Sequence, residues 1–310
     1  HRDFLNGLHP ISVFTACTVP WQHQARQALK QQTQLVDERN GELLEPQGAA
    51  VFTEMEGARR GAVTVMVGSR ESFVLGNFNR ALQARRSAGS TFKLPVYYLL
   101  LKEGLSPNTS VSTARVCLPP FHKGLPAWCP KNAHPTKADI VSAEYALAHS
   151  INTATARIVA LLNNRHGRRS FVVQAMIDLL VEAGIPRHVL AVQPSLPLGP
   201  SGVTPLELAQ FYAAMTHGGT YVKPYLVEAC VDERTKEPCD LGEIMRREER
   251  EIADPKAAGL VTHMLVAASQ SGGTAARVGT ALAGHEIAVK TGTSQNNGTT
   301  WLVGCTREIC

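Results

Sequence analysis

The sequence predicts an α+β fold built around an antiparallel sheet that the two ends of the chain close. Three observations carry this: strand-like runs come first, helical patterns dominate from Val141 to Met215, and strand-like runs return after His285. No internal repeat and no long linker interrupts that order, so a single domain of 310 residues is the economical reading.

The elements follow in order. Ile11 to Cys17, "ISVFTAC", is β-branched and apolar like a strand, and the "PWQHQARQALKQQ" after it starts at Pro20, where a first helical turn tolerates proline. Gly48 to Met55 and Gly61 to Ser69 are strand-like runs joined by the turn-like "EGARR", which predicts an antiparallel hairpin. From Thr91 the chain passes through one helix, with the apolar run Val96 to Leu101 as core. A loop rich in Pro and Cys follows, up to about Ile140. Later, Thr204, Pro205 and Glu207 form a full set of helix-start signals: N-cap, first-turn proline and capping box. Asp254-Pro255 opens "KAAGLVTHMLVAA" in the same way. Finally, "HEIAVKTGT" (His285 to Thr293) alternates as a strand, and "TTWLVGC" predicts a second one after a short polar turn.

A hydrophobic content of 44% supports a substantial core. The 31 Lys and Arg against 26 Asp and Glu leave a charge of +5, spread over pairs such as Arg59-Arg60, Arg85-Arg86 and Arg168-Arg169. Such pairs read as solvated surface, because nucleic-acid binders show a denser basic stripe interleaved with aromatics, so no nucleic-acid partner is expected. No run of eighteen apolar residues occurs and "HRDFLNGLHPIS" lacks a signal-peptide pattern, which puts any membrane anchor or export signal outside this stretch. Of the seven cysteines, Cys117 and Cys129, Cys230 and Cys239, and Cys305 and Cys310 form close couples, and Cys17 is left over. The couples fit loop or hairpin disulfides and an oxidising compartment, with free buried thiols as the alternative. Metal chemistry is not indicated: no C-x-x-C occurs and the eleven His fall singly. No cofactor is implied.

The chemistry rests on three short patterns. Ser90 and Lys93 stand one helical turn apart at a helix start, where positions i and i+3 share a face and negative charge is favoured. A serine needs a base, and a lysine serves as one only where burial or a nearby cation keeps it neutral part of the time. This pair recurs by chance in many proteins and on its own is weak. Ser150-Ile151-Asn152 adds a hydroxyl that can relay protons and an amide that can hold a peptide group. Lys290-Thr291-Gly292-Thr293 adds a positive charge, and a glycine where a substrate would lie against the strand edge as an added strand.

The order Ser-x-x-Lys, Ser-x-Asn, Lys-Thr-Gly is the set found in penicillin-binding proteins and related β-lactamases. The sequence resembles the transpeptidase domain of class A penicillin-binding proteins. Beyond the motifs, the likeness covers "FNRALQARRSAGSTFK", "LPLGPSGVTPLELAQFYAAMTHGGTYVKPYLV", "KTGTSQNNGTTWLVG" and the opening "ISVFTACTVPWQHQARQAL". This resemblance implies a penicillin-binding fold, with a sheet-containing subdomain, an all-helical one and the site between them. The whole chain, 1–310, would be the transpeptidase domain, residues 1–19 being an opening strand and linker from an upstream glycosyltransferase domain. Most relatives are bifunctional and anchored at the outer face of the cytoplasmic membrane, so the same location is implied here.

The resemblance also implies roles. Ser90 would be acylated and Lys93 would be its base; Ser150 would pass the proton to the leaving D-alanine, and Asn152 would bind the peptide. Lys290, Thr291 and Thr293 would recognise the terminal carboxylate, with the N–H groups of Ser90 and Thr293 as oxyanion hole. The implied reaction is DD-transpeptidation of peptidoglycan stem peptides, blocked covalently by β-lactams, alongside other cell-wall synthesis proteins. A DD-carboxypeptidase, or a β-lactam-sensing receptor without turnover, shares the motifs. A β-lactamase is disfavoured because no E-x-x-L-N loop lies between Ser150 and Lys290.

Two departures stand out. Proline usually follows the motif lysine directly, whereas here Leu94 precedes Pro95, and Thr299 stands where relatives carry an acidic residue before the tryptophan. The chain also stops at Cys310, early in the second of the late strands, where relatives continue through a further strand and a helix. His149 beside Ser150 has no assignable carboxylate partner and reads as a helix-end histidine. Asn296 and Asn297 read as turn residues.

Overall fold

A computed structural model describes residues 10–33, 35–36, 43–44, 46–71, 74, 76–136, 138–239, 241–294 and 298–310. Residues 1–9, the first part of the expected opening segment, and the Asn296–Asn297 turn lie outside these described residues.

β1 (Ile11–Thr15) leads into α1 (Val19–Gln32), whose first turn holds Pro20. β2 (Ala50–Thr53) and β3 (Val63–Val67) form the expected antiparallel hairpin, Val51 opposite Met66. A five-residue 3-10 helix, Gly89–Lys93, then runs straight into α2 (Leu94–Lys102), where the shifted Pro95 falls in the first turn; having no N–H, it leaves the Thr91 carbonyl, four residues back, to the Tyr212 hydroxyl. Leu94 through Leu101 are all buried, so α2 is apolar on every side and is the central helix. Around it pack α3 (Ala143–Ala148), α4 (Asn152–Arg165) and α5 (Phe171–Glu182). α6 (Pro205–Thr216) and α7 (Pro255–Val266) connect this helical block to the strands.

The start signals read from sequence are formed as hydrogen bonds. Glu207 N–H donates to Thr204 Oγ1 at 3.2 Å while Thr204 N–H donates to Glu207 Oε2 at 3.0 Å, completing the capping box of α6. Asp254 accepts from Ala257 N–H at 2.8 Å to cap α7.

Among the described residues, the first and last strands do not pair with each other. β1 lies antiparallel to β4 (Val227–Asp232), with Val13 opposite Cys230. β5 (Ala288–Thr293) pairs with β6 (Thr300–Cys305), Lys290 opposite Val303. β6 ends at Cys305, five residues before the last one described. A turn closed by Thr306 N–H to Ile309 C=O at 2.8 Å sends the last residues back onto β2, where Thr53 and Cys310 exchange both backbone hydrogen bonds at 2.8 and 3.0 Å. The register of β1 depends on residues more than two hundred positions away, which a local pattern does not carry.

All three cysteine couples are disulfides, Cys117–Cys129, Cys230–Cys239 and Cys305–Cys310. Each closes a short excursion: the first two flank the backbone bridges Leu118 with Trp128 and Val231 with Pro238, and the third spans the last turn. Cys17 is a free thiol, half-buried.

Candidate active site

The site lies where three elements end together: the 3-10 turn before α2, the N-terminus of α4 and the edge of β5. In a 3-10 helix, residues three apart eclipse one another, so Ser90 stands directly over Lys93. Ser90 is half-buried and Lys93 fully buried. The turn is pinned from several sides. Gly89 N–H donates to Gly199 C=O at 3.0 Å, Tyr212 Oη donates to Thr91 C=O at 2.7 Å, and Trp301 Nε1 donates to Ser87 C=O at 2.8 Å.

Ser150 owes its place to the end of α3. Ser150 N–H donates to Leu147 C=O at 3.0 Å and Ile151 N–H to Ala146 C=O at 2.9 Å. These are the paired bonds of a Schellman motif, whose penultimate position calls for a left-handed residue and usually holds glycine. Here Ser150 takes it, with φ 55°. The strain, on the order of 1–2 kcal/mol for a residue with a Cβ, turns the hydroxyl toward the two lysines.

Lys93 Nζ contacts Ser150 C=O at 2.5 Å, Ser150 Oγ at 3.0 Å and Asn152 Oδ1 at 2.6 Å. Lys290 Nζ, on the far side, lies 3.0 Å from the same Ser150 Oγ and 2.9 Å from Thr291 C=O. Lys93 thus spends its contacts on Ser150 and Asn152 rather than on Ser90. Burial, helped by the charge of Lys290, holds the Lys93 ammonium well below the usual lysine range, and burial pushes Lys290 down to about 7. Neither amine is paired with a carboxylate among the described residues.

Thr291 is half-buried and Thr293 is exposed at the end of β5, which among the described residues pairs only with β6 and leaves its other edge open. Gly292 differs from expectation. Sequence reasoning puts its missing side chain on the substrate side, but a Cβ there would lie 2.8 Å from Thr91 Cγ2 and 2.9 Å from Ala88 C=O. The glycine lets β5 press against the nucleophile turn, inside the protein. His149 is a helix-end residue: its Nδ1 lies 3.0 Å from Tyr145 C=O and its ring stacks on Tyr145 at 3.7 Å.

Sequence reasoning missed the residues that brace these groups. Asn152 Nδ2 donates to Lys131 C=O at 2.7 Å, Tyr212 and Trp301 anchor the 3-10 turn, and Gly199 lies against Gly89. No local pattern marks them, because each acts across a long sequence separation. Among the described residues no three His, Cys, Asp or Glu cluster as a metal site.

The family described as the penicillin binding protein transpeptidase domain matches residues 35–308. The chain belongs to that family. Penicillin-binding protein 1A of Neisseria lactamica is 29% identical over 85% of the chain and 31% of its own length. The Aquifex aeolicus protein of the same name is 30% identical over 83% and 33%. The chain therefore spans about a third of the length of these relatives. Among solved structures, PonA1 of Mycobacterium tuberculosis in complex with penicillin V has a TM-score of 0.76 at 21% identity, covering 100% of this chain and 77% of that one. Penicillin-binding protein 1A of Haemophilus influenzae has a TM-score of 0.71 at 22% identity, covering 87% and 44%. At these identities the structural likeness speaks for the penicillin-binding fold.

Proposed function

We propose that this transpeptidase domain is a serine DD-transpeptidase that cross-links peptidoglycan stem peptides and is acylated by β-lactams. The observation that carries the reading is Ser150 Oγ held between two buried amines, 3.0 Å from each. With Lys93 neutral, the hydroxyl donates to Lys93 and accepts from Lys290, so a proton can pass along Lys290, Ser150 and Lys93 without moving a side chain.

In this reading, Ser90 Oγ attacks the carbonyl carbon between the two terminal D-alanines while its proton passes to Lys93. Contact between catalytic groups commonly tightens only in the substrate complex, so the present engagement of Lys93 with Ser150 is compatible with that role. The first-turn N–H of Ser90 and the N–H of Thr293 face the developing oxyanion. The C–N bond then breaks, the departing D-alanine amine takes a proton from Ser150, and Ser90 remains as an ester. An amine of a second stem peptide attacks that ester, loses its proton back through Lys93 and releases Ser90 as a hydroxyl. The open edge of β5 receives the donor peptide as an added strand, with Lys290, Thr291 and Thr293 at its terminal carboxylate and the free N–H of Asn152 on its backbone.

The three disulfides support an extracytoplasmic location, where they persist. None of the helices among the described residues is long and apolar enough to cross a membrane. Anchoring at the cytoplasmic membrane, and work alongside other wall-synthesis proteins, belong to the same proposal. A fluorescent penicillin tests the core of it: the protein takes up one label per chain, and Ser90→Ala takes up none. Stoichiometric labelling of the alanine variant would remove Ser90 from its role.

A further inference from the structure

Asn152 is the first residue of α4, and the residue before it, Ile151, cannot cap the helix, because its side chain has no acceptor. The orphan N–H of Thr153 in that first turn is instead capped from outside. Asn132 Oδ1 accepts it at 3.0 Å, and Asn132 Nδ2 donates to Thr153 Oγ1 at 3.0 Å, while that hydroxyl donates onward to Thr113 C=O at 2.7 Å. The residue before Asn132 completes the clamp: Lys131 C=O takes a hydrogen bond from Asn152 Nδ2 at 2.7 Å. That bond fixes which way the Asn152 amide faces, and so presents its Oδ1 to Lys93 Nζ at 2.6 Å.

The loop that carries Lys131 and Asn132 is itself tied down. Cys117 and Cys129 are joined, and beside them Leu118 and Trp128 exchange both backbone hydrogen bonds at 2.8 Å. Only Pro130 separates this cross-linked hairpin from the clamp.

We propose that Asn132, held by the Cys117–Cys129 hairpin, is a positioning residue that caps α4 from outside and so sets the orientation of Asn152 against Lys93. The proposal rests on the reading of Ser90 as the acylated serine. Asn132 itself touches no reacting atom; its effect passes through Asn152 to the amine that takes the Ser90 proton.

The test measures β-lactam acylation with a fluorescent penicillin, separating the non-covalent dissociation constant from the acylation rate constant, beside a thermal melt. Asn132→Ala is expected to lower the acylation rate constant roughly tenfold, within what a small misplacement of a catalytic group costs, with little change in the dissociation constant. Asn132→Asp keeps the accepting oxygen at the cap and is expected to restore the rate to within about threefold. The pair Cys117→Ser and Cys129→Ser leaves Asn132 in place but frees its loop, and is expected to slow acylation in the same direction by less. Should Asn132→Ala fail to fold, Asn132→Gln, which displaces the amide by one methylene, carries the same expectation. An unchanged rate in Asn132→Ala, or a loss that Asn132→Asp does not repair, overturns the proposal while the wild type still labels. A normal rate in the cysteine pair removes the hairpin from it. A wild type that does not label overturns the acyl-enzyme reading, and this inference with it.

Discussion

Lys93 and Lys290 reach the same atom from opposite sides: each Nζ lies 3.0 Å from Ser150 Oγ, and both side chains are fully buried. Two like charges cannot both persist in so dry a place, so each protonated amine discourages the other. The arrangement leaves one amine free to accept a proton and the other available to stay charged.

Removing Lys290 therefore changes the pH dependence of acylation in a definite direction. Lys93 must be neutral to take the Ser90 proton, and the Lys290 charge helps keep it so. In Lys290→Met the neighbouring cation is gone and the Lys93 pKa rises. The acidic limb of the acylation rate against pH is then expected to move to higher pH, whatever happens to the maximum. Stability carries the opposite signature. The folded pKa of Lys290, about 7, lies below an unfolded value of roughly 10.4, so the folded state binds fewer protons across that window. The wild type is expected to gain stability relative to Lys290→Met as pH rises from about 7 to about 10, by on the order of a few kcal/mol. Acylation profiles and melts of the two proteins check both; an unmoved acidic limb would separate Lys290 from Lys93.

Ser150 offers a comparison of two substitutions that both delete the hydroxyl. Its φ of 55° suits glycine and strains alanine. Ser150→Gly is expected to be more stable than Ser150→Ala by about 1 kcal/mol, with acylation slowed to a similar degree in both. Melting temperatures and labelling rates measured side by side decide it. Equal stabilities would mean the left-handed backbone is not retained.

The features legible in the sequence are those whose partners are close along the chain. Thr204 and Glu207 announce their capping box within four residues, and the cysteine couples announce their pairing within short loops, though spacing alone left free thiols open. The motif residues were legible because their spacing is itself the pattern. What brings them together was not. Tyr212 reaches Thr91 across 121 positions and Asn132 reaches Thr153 across 21, and no periodicity records such a meeting. Gly292 shows the same limit from the other side: a glycine in a motif reads as room for substrate, and only the strand's contact with Ala88 and Thr91 shows which side the room is on.

Tyr212 is the deepest brace of the nucleophile turn, fully buried with its hydroxyl on Thr91 C=O at 2.7 Å. Tyr212→Phe keeps the ring and strands that carbonyl. A loss of about 1–3 kcal/mol in stability is expected, with slower labelling by fluorescent penicillin, because the freed turn carries Ser90. A variant that melts and labels like the wild type would show that the bond is dispensable to both.

Gly199 carries the sharpest steric demand in the site. A Cβ there would stand 2.2 Å from Gly89 C=O and 2.4 Å from Gly89 N, both backbone atoms of the turn that presents Ser90. Gly199 also has φ 68°, so alanine meets conformational strain and collision together. Gly167 separates the two effects. Its φ is 63°, yet a Cβ there meets nothing within 4 Å. Gly167→Ala is expected to cost only the backbone strain, about 1–2 kcal/mol, and to label at the normal rate. Gly199→Ala adds an overpacking cost of at least about 1–3 kcal/mol and is expected to label much more slowly, because Gly89 must move and takes Ser90 with it. Thermal melts with labelling kinetics on the folded fraction distinguish the pair. If both variants lose the same stability and both label normally, the approach of Gly199 to Gly89 does not hold the nucleophile in place.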